Sequence, residues 1–143
     1  MIALGWDNTA MAGVLPFNGG FVDDKGLGTC VFISLFTDRR AGDDDGLVPA
    51  ERRGWVGDAL ADVEGDRIGS RLWLLAREKQ TEETRARAEE YTREALEWMV
   101  DDGLVTGIEI EAAWVAPSVL GVRVTFTGGA LDVPYVIQIQ VSG

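Results

Sequence analysis

Three aspartates followed by a glycine, Asp43-Asp44-Asp45-Gly46, are the first residues in this chain whose spacing could do chemistry. Closely spaced carboxylates around a glycine turn suit calcium. An EF-hand loop places glycine sixth and a bidentate glutamate twelfth. With Gly46 sixth, the loop would start at Ala41 and close on Arg52, a cation where a ligand is required. The pattern therefore predicts a solvated acidic loop without a metal. Cys30 is the single thiol, and the residues after it are Val31 and Phe32. A nucleophilic thiolate needs a base beside it. The chain has no histidine, so Cys30 is expected to be a small buried core residue. Gly26-Leu27-Gly28 precedes an apolar run, but the third glycine of a dinucleotide-binding turn is missing. No catalytic, cofactor-binding or metal-ligating residue is assigned.

Composition narrows the classes further. The 143 residues are enough for one domain with a core, and 46% of them are hydrophobic. Thirteen basic against 24 acidic residues give a net charge of −11. That balance is the reverse of a nucleic-acid binder, whose affinity depends on neutralising phosphates. No run of 18 apolar residues is present, so no membrane span is expected. The start, Met1-Ile2-Ala3-Leu4-Gly5-Trp6-Asp7, lacks the basic and apolar regions of a secretory signal. A lone cysteine fits a reducing compartment.

Arginine and tryptophan concentrate beside glycines in Thr37-Asp38-Arg39-Arg40 and in Arg52-Arg53-Gly54-Trp55-Val56-Gly57-Asp58. Arginine suits planar, bidentate contacts with a partner. The same residues could instead brace the acidic loop between them, and both readings stand at this point. Trp55 and Trp73 are more often core than interface, although tryptophan is favoured at interface hot spots.

The elements that must position these groups follow from periodicity. Residues 1–26 carry Gly13, Pro16, Asn18, Gly19, Gly20 and Gly26, the punctuation of irregular or short-stranded chain. Residues 27–36 are apolar at both strand and helix spacing, which leaves the two open. Residues 41–53 form a polar loop. Ser70 is a candidate N-cap for a short helix through Lys79, with Leu72, Trp73, Leu75 and Ala76 on its apolar side. The clearest helix covers 81–100. Thr81 caps it, Glu82 and Glu83 face the positive end of its dipole, and Gly103 ends it. Its apolar stripe is Ala88, Tyr91, Ala95, Trp98 and Met99, and Glu89 and Arg93 form an i, i+4 pair. Burial of Trp98 would make Trp98→Ala cost roughly 3–5 kcal/mol. Beyond Gly103 the period becomes two, through Ile108-Ile110-Ala112-Trp114, Val122-Val124-Phe126 and Tyr135-Ile137-Ile139. Turns at 116–118 and 128–129 complete a three-stranded antiparallel meander. The helix covers its apolar face, giving a single α+β domain of two to three helices on a C-terminal three- to four-stranded sheet.

The segments Leu35-Phe36-Thr37-Asp38-Arg39-Arg40-Ala41, Gly54-Trp55-Val56-Gly57-Asp58, Gly69-Ser70-Arg71-Leu72-Trp73-Leu74-Leu75 and Ala95-Leu96-Glu97-Trp98, in this order and spacing, resemble the small baseplate wedge protein of Mu-like contractile-tailed bacteriophages. That family in turn resembles the lysozyme-like wedge proteins of T-even phages and type VI secretion baseplates. The resemblance runs from about Leu27 to the C-terminus, which divides the chain into an irregular 1–26 and a wedge-like α+β domain at 27–143. It implies a helix at 27–36 that ends at the Thr37-Asp38 turn. It implies a structural, non-enzymatic subunit of the virion's tail baseplate, assembled in the host cytoplasm, that joins the central wedge proteins to the first ring of the contractile sheath. The expected partners are other wedge proteins and the tail sheath protein. No nucleic acid, membrane or cofactor is expected. One departure is plain: the Glu-Pro-Arg motif of the T-even and secretion-system relatives falls at Val100-Asp101-Asp102-Gly103-Leu104, which has neither proline nor arginine. The contact made by that motif does not carry over.

The resemblance also raises two alternatives, a tail-associated peptidoglycan hydrolase and a small protein-binding adaptor. Glycoside hydrolysis needs two carboxylates flanking a cleft. Glu109 and Glu111 lie on one face of a strand, away from its apolar side, and fit solvent better. The wedge contact is assigned to Thr37, Asp38, Arg39, Arg40, Arg53, Gly54, Trp55, Gly57 and Asp58. Strand pairing with the sheath is assigned to Val133, Tyr135, Val136, Ile137, Gln138, Ile139, Gln140 and Val141, with another edge of the sheet, or a cover of this edge by residues 1–26, left open. This last strand has uncharged outward residues, and only Pro134 protects its edge.

Overall fold

The long helix forms where its capping residues place it. In a computed structural model that describes residues 5–7, 9, 12–14, 27–60, 62, 67–128 and 135–142, it spans Glu82–Asp101 (α2). Thr81 stays extended, and its hydroxyl accepts the Thr84 N–H at 3.2 Å. At the other end Gly103 takes φ +74°. Leu104 N–H donates back to Met99 at 2.9 Å and Gly103 N–H to Val100 at 3.0 Å, so the last carbonyls are satisfied by a Schellman-type turn.

Ahead of α2 stand a short hairpin, β1 (Gly5–Asp7) and β2 (Ala12–Val14), and the helix α1 (Leu27–Phe36). Between the helices run 3-10 turns at Asp43–Asp45, Pro49–Glu51, Val56–Leu60 and Leu72–Arg77. Behind α2 come β3 (Gly107–Ala116), β4 (Val119–Thr127) and β5 (Tyr135–Gln140), paired antiparallel in the order β3-β4-β5. The register sets Ile110 opposite Val124 and Val122 opposite Ile137. Every second residue of each strand therefore faces the same side. Ser118 turns the β3–β4 hairpin at φ 60°.

α2 lies on β3 and β4, and α1 also packs against it. Leu75, Leu96, Met99, Leu120, Val122 and Val124 are wholly or almost wholly removed from solvent, with Val31 and Leu35 joining them from α1. Burial of each such side chain stabilises by roughly 1.5–3 kcal/mol. The result is the single α+β domain that the periodicity predicts. Among the described residues, no helix is long and apolar enough to cross a membrane.

Several expectations need correction. Trp98 is 36% exposed and lies at the margin of α2's buried stripe. The stripe continues through Thr92 and Leu96 instead, and the Trp98 indole N–H donates to the Ser34 hydroxyl at 3.0 Å. Glu89 pairs with Arg85, one turn before it, and not with Arg93. Ser70 is not the N-cap of the segment after it, a place taken by Arg71, although its hydroxyl accepts the Leu72 N–H at 3.4 Å. Its buried hydroxyl donates to the Leu35 carbonyl at 2.5 Å, near the C-terminus of α1. The segment after it is a 3-10 helix on which Ala76 is exposed. Cys30 is half-buried at a cavity wall, because α1 turns that face away from the core.

Candidate interaction surface

Three glycines draw separate stretches of chain into one surface. A Cβ on Gly69 would stand 2.3 Å from the Thr37 carbonyl oxygen, and Gly69 has φ +97°. Without that Cβ, Ser70 N–H donates to Thr37 and Arg39 N–H to Ser70, each at 2.9 Å. Gly54, at φ +108°, lets the chain pass Arg40, whose Cβ would be 2.8 Å from an added one. Ala41 N–H then donates to Arg52 at 2.9 Å. A Cβ on Gly57 would collide with the Trp55 ring at 2.2 Å, so the indole rests over the Gly57 backbone. Such close approach is open only to glycine.

The arginines of this region are bonded within the chain. Arg53 donates to Asp38 at 2.8 Å, and its guanidinium lies 4.5 Å over the Trp73 ring. Trp73 donates its indole N–H to the Arg39 carbonyl at 2.9 Å. Arg40 donates to the carbonyls of Arg53 and Pro49 at 3.1 and 3.2 Å. Arg52 binds Asp43 and the Leu47 carbonyl. Arg39 lies 3.7 Å from Glu94. Of these arginines, Arg52 binds the acidic loop through Asp43, and the others hold neighbouring backbone, Asp38 and Glu94.

Arg71 closes the acidic loop onto α2. Its fork donates to both Glu94 oxygens at 2.9 Å, it reaches Asp45 at 3.2 Å, and it lies 4.5 Å over the Tyr91 ring. Burial opposes the Arg71 charge, but the hydrogen bond and charge of Glu94, with those of Asp45, outweigh it and raise the guanidinium above its ordinary value. Asp45 is thus held rather than solvated, while Asp43 and Asp44 are exposed.

Large apolar side chains are also exposed here, beside the bonded arginines. Trp55 is 54% exposed, and Val56 and Leu60 on the adjoining turn are 83% and 82% exposed. Of these, Trp55 lines a cavity of about 500 Å³, together with Ile33, Asp58 and Trp98, among others. Asp58 Oδ1 accepts the Ile68 N–H at 3.1 Å, while Oδ2 is buried and accepts no hydrogen bond among the described residues.

In β5, Ile137 and Val141 are buried, Ile139 is half-buried and Gln140 is exposed. Tyr135 meets Phe126 edge-on at 6.0 Å, and Val136 and Gln138 each hold an interaction partner. Val133 lies outside the described residues. At β3, the Glu89 carboxylate accepts the Ala112 N–H at 3.0 Å and Arg85 donates to the Ala112 carbonyl at 3.2 Å, so α2 side chains hold that strand's outward backbone. Glu109 and Glu111 are exposed on the face away from α2. Among the described residues, no three potential metal ligands gather.

Sequence reasoning missed the Arg71 hub and the Glu89–Ala112 contact. Both depend on partners more than 20 positions apart, which spacing cannot show. Val56, exposed beside Trp55, was missed too, although it stands inside the Gly54–Asp58 segment.

These features define a small α+β protein with an exposed aromatic surface braced from within. The sequence matches the family described as phage protein GP46 over residues 27–131, and the chain belongs to that family. It is 53% identical over 91 residues to the baseplate protein gp46 of Escherichia phage Mu, covering 62% of this chain and 61% of that protein. The alignment thus spans less than two thirds of the phage Mu protein. It is 40% identical over 119 residues to the Mu-like prophage FluMu protein gp46 of Haemophilus influenzae, covering 83% and 80% of the two chains.

Proposed function

We propose that this protein is a structural subunit of a phage tail baseplate in the virion, assembled in the host cytoplasm. Membership of the phage GP46 family and the similarity to a phage Mu protein of that name support the role. In the finer reading it is a wedge subunit, with residues 27–143 as its wedge-like domain, that joins central wedge proteins to the first ring of the contractile sheath. It acts by surface complementarity and strand pairing, without bond chemistry. The observation that carries the wedge contact is the exposed Trp55 and Val56, held over a loop region whose arginines already bind their own chain. Large apolar side chains exposed on one turn support a partner site there. The sheath contact belongs to the C-terminal sheet, with β5 as its first candidate.

Purified tails from phage with and without this gene test the proposal. A map of intact tails should show the subunit between the central baseplate and the first sheath ring, and the deletion should give tails without sheath. Absence of the protein from purified tails, or normal sheath on the deletion, would overturn it. Peptidoglycan turnover by the purified protein, abolished by a single carboxylate substitution, would favour the hydrolase instead.

A further inference from the structure

The groove lined by Cys30, Ile33, Trp55, Asp58 and Trp98 is predominantly apolar. Within it the Asp58 carboxylate is half satisfied: Oδ1 takes the Ile68 N–H, and Oδ2 is buried without a donor among the described residues. Arg67 lines the same groove but does not bond to that oxygen. A buried carboxylate oxygen lacking a donor costs free energy, and native structures rarely leave one so.

Elsewhere this chain fills such a site with a guanidinium. Arg53 lies 4.5 Å over Trp73 and binds Asp38; Arg71 lies 4.5 Å over Tyr91 and binds Glu94 and Asp45. The groove is lined by the same residue types, the Asp58 carboxylate and the rings of Trp55 and Trp98, both of which are partly exposed. A guanidinium is planar, weakly hydrated and stacks on indole, whereas an ammonium keeps its water more tightly. A net charge of −11 further favours a basic visitor. Val56, between the lining residues Trp55 and Gly57, is 83% exposed and offers apolar contact to whatever flanks that visitor.

We infer that this groove receives an arginine-bearing segment of a neighbouring protein chain, the guanidinium donating to Asp58 and stacking against the groove's tryptophans. The inference deepens the partner-surface reading of residues 54–58 and rests on it.

A photo-reactive residue in place of Val56, in tails purified from producing cells, tests both levels. A cross-linked peptide from another tail chain with an arginine at the linkage is the expected result. Cross-links only within this chain would overturn the partner surface itself. Cross-links to a partner peptide without arginine would overturn the arginine alone. Asp58→Asn provides the second measurement, because asparagine keeps an acceptor for Ile68 N–H. It should leave the melting temperature of the isolated protein unchanged or raised, and lower its incorporation into tails at least tenfold. Incorporation at the parental level, or a loss that follows a fall in melting temperature, would refute the role given to Asp58. Exchanging charges between Asp58→Arg and a glutamate at the cross-linked arginine should restore assembly.

Discussion

Replacing Arg71 with alanine should destabilise the fold by about 2–3 kcal/mol. The figure follows from what the guanidinium touches. Fully exposed ion pairs contribute about 0–1 kcal/mol, and breaking a fully buried pair costs about 3–5 kcal/mol. The Arg71, Asp45 and Glu94 side chains are 20%, 11% and 31% exposed, which places the cluster between these limits. The ring contact with Tyr91 adds about 0.5–1 kcal/mol to the total. For a chain of 143 residues, the loss corresponds to a fall in melting temperature of roughly 7–10 °C. Urea unfolding followed by tryptophan fluorescence measures it. A double-mutant cycle with Glu94→Gln should give a coupling of at least about 1 kcal/mol, as residues sharing a network do. Partial burial should keep most of that coupling at raised ionic strength. A loss below about 1 kcal/mol, or additive single and double variants, would refute the hub.

Two further outcomes follow from the helix α2. Leu96→Ala, at a position with no solvent exposure, should cost about 3–5 kcal/mol, whereas Trp98→Ala should cost only about 1–2 kcal/mol, because it removes a half-open groove wall; equal losses in denaturant titrations would show that Trp98 belongs to the core. Burial raises the Tyr91 hydroxyl above its ordinary value, against the lowering charge of Arg71. The neutral form is therefore favoured by folding, so its contribution is fully present below pH about 10 and is lost as pH rises through the folded-state value. Tyr91→Phe should flatten the alkaline limb of the stability profile, and an unchanged limb would contradict this.

The fold was legible wherever a rule of short range governs it. Thr81, Glu82, Glu83 and Gly103 mark the ends of α2 to within a residue. The period-two pattern places β3, β4 and β5 on one face because each strand is one-sided. At residues 27–36 the two periods coincide, so the helix was set by resemblance rather than by spacing. What stayed hidden was decided at long range. The 20 residues of α2 carry two candidate apolar margins, Trp98 and Leu96, and only the direction from which the sheet and α1 approach selects Leu96. Ser70 has the residue type of a cap, but its hydroxyl answers a carbonyl 35 positions earlier. Cys30 sits in an apolar run, yet a helix turns part of every such run outward.

The division of labour between arginine and tryptophan at the surface has a consequence for recognition. Interface arginines gain affinity when their donors meet partner carboxylates. Here the donors of Arg40 and Arg53 already meet Pro49, Arg53 and Asp38 within the chain. Exchanging those bonds for intermolecular ones would yield little net free energy. What the bracing does supply is preorganisation. Loops fixed by glycine contacts and arginine bonds lose little conformational freedom on docking, so more of the contact energy appears as affinity. Trp55 benefits most, because its ring is seated on Gly57 before any partner arrives. On the proposed reading, recognition by this surface would rest on apolar shape and on the Asp58 carboxylate, with the arginines acting through the loops they hold.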